Sequence, residues 1–206
     1  MKWQRIAFAV VGLAAAVTVL VQYDINVERR GGYWPAAVSF FGYFTIWTNI
    51  LVACVCLWLA RMGAWRDVHV SLASATTMFI LFVGGVYHAL LAADHNPRGL
   101  AAVTNLFLHY LIPAGMLTLW LVFVPKGRLG WGAALAWIVF PAVYLCFALV
   151  RGEVIGRYPY FFINVADYGY RQVLINAAGF TALLLVLGLG FVVVDRLLAR
   201  GSRTVA

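Results

Sequence analysis

Apolar and polar positions alternate on a coarse scale along this chain, as six long apolar runs separated by short polar connections. The runs fall at about 4–23, 39–60, 71–93, 102–124, 132–151 and 172–197. Each is close to the roughly 20 residues that a helix rising ~1.5 Å per residue needs to cross a hydrocarbon core of ~30 Å. The longest connections, about 24–38 and 152–171, are too short for a further domain. The pattern predicts an all-α fold, a polytopic membrane bundle of six transmembrane helices forming a single domain over residues 1–206. Short connections make successive helices antiparallel and usually neighbours. Gly84, Gly85, Gly179, Gly188 and Gly190 mark expected close approaches between them.

Composition agrees with this reading: 65% of residues are hydrophobic and 11% charged, and the mean hydropathy of +0.92 lies outside the range of soluble domains. The formal charge of +8 does not point to nucleic acid, because its basic residues are spread over the connections and termini. Membrane lipids are the expected partners. Nine basic residues lie at the termini and in the second and fourth connections, against six in the other three. With five of the seven carboxylates on the second side, the positive-inside rule puts both termini in the cytoplasm of a bacterial-type inner membrane. Lys2 and Arg5 before the first run resemble a secretory signal, but the run ends at Gln22, Tyr23 and Asp24 without a small-residue cleavage site, and is read as a retained helix.

A few polar positions interrupt the runs. Thr45, Thr48 and Asn49 stand at i, i+3 and i+4 on one face of the second run, and Asn105 and His109 at i and i+4 on the fourth. Measured from the expected entry points, Thr45 lies about 10 Å in, His109 at a similar depth, and His88 of the third run slightly shallower. An unpaired polar group in hydrocarbon costs several kcal/mol, so these faces are expected to turn inward. Pro113 lacks the N–H that would bond to the His109 carbonyl, which predicts a loosened or kinked turn beside that histidine.

What the runs lack narrows the chemistry. No Cys/His set has zinc spacing, and Cys54 and Cys56 point in different directions along a helix, so no metal is expected. No Lys lies within a run, which disfavours a Schiff base, and there is no Gly-rich phosphate loop, so no cofactor is expected either. No carboxylate lies deep in a run to serve a proton relay or a sodium-coupled transporter. Hydroxyl, imidazole and amide remain, a set suited to acyl transfer. Each has a plainer reading: Thr bonding back to its own helix, and Asn or His as interhelical glue.

The stretches "YFTIWTN" and "NLFLHYLIP", with the aromatic loop "YPYFFINVADYGY", resemble the family of androgen-induced and androgen-dependent-TFPI-regulating proteins, whose bacterial relatives are six-helix proteins of similar length. The resemblance implies a membrane-embedded Thr and His that hydrolyse fatty acid esters of hydroxy fatty acids. By motif position these fall on Thr45 and His109. The chain departs from the animal members at Thr48, where theirs carry an acidic residue. On this reading His109 deprotonates Thr45 for attack on a lipid ester. Thr48, Asn49, Asn105 or a backbone group freed by Pro113 would donate to the oxyanion, and His88, Asn105 or Tyr110 would orient His109. Arg157 or Arg171 would meet a substrate carboxylate, and the rings of the 152–171 loop form a lid or an aromatic belt. Two other readings stay open: a non-enzymatic lipid or small-molecule binding membrane protein or transporter, and polar faces that serve only as helix glue.

Overall fold

The computed structural model describes residues 2–62 and 64–203, and the side chains up to residue 200. Seven helices follow one another: α1 (Lys2–Arg30), the short α2 (Tyr33–Phe40), α3 (Phe44–Arg61), α4 (Asp67–Leu91), α5 (Leu100–Phe123), α6 (Gly132–Ile155) and α7 (Val165–Arg200). All but α2 are long and apolar enough to cross a membrane, so the fold is an all-α six-span bundle. α1, α3, α4 and α5 close a ring in which α1 packs on both α3 and α5. α6 and α7 pack on each other and on α4. Phe8 of α1, Val52 of α3, Ile80 of α4 and Met116 of α5 meet in the fully buried centre of the ring.

Three boundaries depart clearly from the hydropathy pattern. α1 runs beyond the apolar stretch to Arg30 because Gln22, Asn26, Arg29 and Arg30 recur at helical spacing on a polar face. It stops at Gly31, whose φ of 72° ends the helix in the left-handed region. The second span begins at Phe44 rather than near residue 39, because the chain turns at Phe41–Tyr43. That turn is held from α6. The Tyr144 hydroxyl donates to the Gly42 carbonyl at 2.7 Å, and the Arg151 guanidinium donates to the Val38 carbonyl at 3.0 Å through Nε. Thr45 therefore occupies the first turn of α3 instead of a position about two turns down a longer helix. The sixth span starts at Val165, with one non-helical residue, Gly169 (φ 69°), inside it.

The loosened turn expected beside His109 is a π-turn, Phe107–Leu111, with Pro113 two residues beyond its end. A second π-turn, Tyr87–Leu91, ends α4. Of the glycines expected at close contacts, two are. A methyl group on Gly84 would meet the His109 carbonyl oxygen at 2.6 Å, and one on Gly188 would meet Ala134 at 3.0 Å. Gly85, Gly179 and Gly190 have open space around them.

Candidate active site

One end of the ring opens into a polar chamber of about 550 Å³. α1 contributes Gln22, Asn26, Arg29 and Arg30; α3 contributes Thr45; α4 contributes Tyr87; α5 contributes Asn105 and His109; the 156–164 loop contributes Tyr160. Thr45 and His109, singled out from sequence, thus line the same chamber. No direct hydrogen bond joins them among the described residues.

The π-turns set the histidine. His109 stacks on Tyr87 with ring centroids 3.8 Å apart and an 18° interplanar angle. Its Nδ1 lies 3.1 Å from the Asn105 carbonyl oxygen. A carbonyl only accepts, so Nδ1 carries the proton and Nε2 of the neutral ring keeps its lone pair. The Asn105 side chain donates to the Tyr87 hydroxyl at 2.8 Å, and that hydroxyl reaches His95 Nδ1 at 3.1 Å. The group orienting His109 is therefore the backbone of Asn105, one turn earlier, braced by Tyr87. Asn105 Oδ1 is buried without a partner.

Other sequence candidates fall elsewhere. Thr48 and Asn49 are fully buried, but their donors are engaged: the Thr48 hydroxyl bonds the Phe44 carbonyl at 2.7 Å, and the Asn49 amide bonds the Thr45 carbonyl at 2.8 Å. The same amide reaches the Leu108 carbonyl of the π-turn at 3.5 Å. Both are therefore occupied away from any oxyanion. His88 is exposed, because adjacent helical residues diverge by about 100° and Tyr87 takes the inward position. It pairs with Tyr110 on the outer surface at 3.2 Å. Arg157 and Arg171 are exposed and not part of the chamber wall. The arginines that do line it, Arg29 and Arg30, come from the extension of α1. The i, i+4, i+7, i+8 spacing of Gln22, Asn26, Arg29 and Arg30 was the available signal.

A second cavity adjoins the chamber. It holds about 150 Å³ between α4, α6 and α7, and its walls are largely apolar, including Phe82, Val83, Leu145, Phe180 and Leu184. Thr45, Tyr87, Leu91 and Tyr160 belong to both cavities. Thr45 thus stands where a polar compartment meets an apolar one. A shallower hollow along α7 shares Leu90 and Phe161 with the chamber and Phe162 and Phe180 with the apolar cavity.

Comparison of the chain with protein-family models, with curated proteins and with solved structures returns no match. The likeness to the androgen-induced family accordingly rests on the short motifs alone.

Proposed function

We propose that this protein is an intramembrane lipid-ester hydrolase of the threonine type, acting on fatty acid esters of hydroxy fatty acids or similar lipids. The observation that carries the reading is the chamber wall shared by Thr45 and a His109 whose Nδ1 proton is committed to the Asn105 carbonyl. That tautomer leaves Nε2 as the base. Thr45 Oγ attacks the ester carbonyl carbon while its proton passes to Nε2. The C=O electron pair moves onto oxygen, returns, and expels the alkoxide, which takes the proton from His109. Water, deprotonated in turn by His109, cleaves the acyl-threonine and regenerates both groups.

The two compartments support an amphiphilic substrate. The first methylenes of an acyl chain would enter the apolar cavity, with the carbonyl at Thr45 and a carboxylate end toward Arg29 and Arg30. The hollow along α7 gives a lateral route from the bilayer. The membrane is read as a bacterial-type inner membrane with both termini cytoplasmic, which the distribution of basic residues supports. Cysteine labelling of Ser202→Cys from outside intact cells would reverse that orientation.

The test is turnover by the purified protein on a panel of lipid esters, with labelling by an alkyl fluorophosphonate. Thr45→Ala should abolish labelling, and Thr45→Ala and His109→Ala should each lower turnover by about 1000-fold or more. Lipid binding without turnover in the unaltered protein would replace this reading with that of a binding protein.

A further inference from the structure

Resting on that reading, we infer that Tyr160 is a catalytic residue, its hydroxyl the hydrogen-bond donor to the oxyanion formed when Thr45 attacks. Tyr160 belongs to the walls of both compartments, as Thr45 does. Its oxygen accepts the Thr45 backbone N–H at 3.4 Å. That amide is among the first donors of α3, which have no partner within the helix. That bond uses a lone pair of the oxygen and leaves the phenolic proton to donate. The neighbouring Tyr144 hydroxyl gives its own proton to the Gly42 carbonyl, so the substrate competes with the Tyr144 oxygen for the phenolic proton of Tyr160.

The ring is held for this purpose. Tyr160 stacks on Phe162 at 5.0 Å with planes 6° apart, and meets the edge of Tyr43 at 5.8 Å. Burial raises the Tyr160 pKa above the ordinary phenol value, against the opposing pull of the Thr45 and Phe44 donors. The group stays protonated at neutral pH and gives a hydrogen bond rather than a proton, so the chemical balance of the hydrolysis is unchanged. Of the side-chain donors proposed from sequence, Thr48 is engaged within its own helix, Asn49 with the Thr45 and Leu108 carbonyls, and the Asn105 amide with the Tyr87 hydroxyl, whereas Tyr160 adjoins the nucleophile.

The experiment compares Tyr160→Phe with the unaltered protein in detergent, using a p-nitrophenyl acyl ester as substrate. The substitution removes one hydroxyl and keeps the stacked ring. kcat should fall about 100-fold with KM within about twofold. A long-chain trifluoromethyl ketone, which gives an oxyanion on addition of Thr45, should lose affinity by a similar factor, whereas an unreactive ether analogue should bind unchanged. A purely structural tyrosine would weaken both inhibitors alike, and that result overturns the inference. So does a Tyr160→Phe variant with kcat within threefold of the unaltered protein while Thr45→Ala is inactive, which leaves the hydrolase reading standing. Turnover that survives in Thr45→Ala defeats the parent reading and this inference with it.

Discussion

The contact between Gly84 and the His109 carbonyl offers a sharp test of how the site is held. Pro113 gives that carbonyl no N–H, so its oxygen projects from α5 toward α4, where Gly84 leaves room for it. A methyl at Gly84 would lie 2.6 Å from this oxygen, and ordinary contact begins at 3.4 Å, so the two helices must part by about 0.8 Å. The obstructing atom is backbone and has no rotamer to change. Overpacking of this kind costs about 1–3 kcal/mol, partly offset by up to ~1 kcal/mol from the better helix propensity of Ala. The larger effect is on position, because the displaced oxygen belongs to the proposed base, and a shift near 1 Å costs on the order of 100-fold in rate. Gly85→Ala is the control, since nothing lies within 4 Å of a methyl there. The assay is the melting temperature in detergent together with the ester hydrolysis rate of both variants. Gly84→Ala should melt a few degrees lower and lose most of its activity, while Gly85→Ala matches the parent. Full activity and an unchanged melting temperature in Gly84→Ala would refute the close packing at His109.

Tyr87→Phe leaves the Asn105 amide without its acceptor and should lower the hydrolysis rate on the order of 10-fold. Tyr87→Ala also removes the stack on His109 and should cost more. Replacing Arg29 and Arg30 together by Ala should raise KM by about 10- to 100-fold for esters with a free carboxylate and leave their methyl esters unaffected. Arg157→Ala and Arg171→Ala should change neither, as both lie off the chamber wall. Asp195 is fully buried and accepts the Gly127 and Leu129 N–H groups at 2.9 and 3.1 Å. Asp195→Ala should lower stability by about 2 kcal/mol or more, as read from thermal melts, with the activity of the folded fraction retained.

The six spans were legible because hydrocarbon imposes a minimum length and polarity on any helix that crosses it, and 65% hydrophobic residues leave little ambiguity. Thr45, Asn105 and His109 were legible as polar positions at helical spacing. What escaped was where a helix begins and which way an isolated side chain turns. The start of α3 depends on hydrogen bonds from Tyr144 and Arg151, about 100 residues away, so hydropathy alone puts Thr45 deep in a helix when it sits in a first turn. By depth alone His88 is close to His109, yet the residue beside it, Tyr87, takes the inward place. Hydropathy places the arginines of the chamber in a connection, because the apolar run ends at Gln22 while the helix continues to Arg30.

The two π-turns connect these outcomes. A π-turn lengthens the hydrogen-bonded ring, and with Pro113 just beyond Phe107–Leu111 the carbonyls of Leu108 and His109 lose their usual donors. In a membrane such groups need other partners or shelter. Asn49 supplies a donor to Leu108, and Gly84 lets the His109 oxygen settle against α4. Asn49, whose type and spacing suggested an oxyanion donor, is thus accounted for by the irregular backbone that the histidine requires. Its fixed amide in turn holds the Thr45 carbonyl at 2.8 Å. One side chain therefore ties the first turn of α3 to the π-turn of α5, the two segments that present Thr45 and His109 to the chamber.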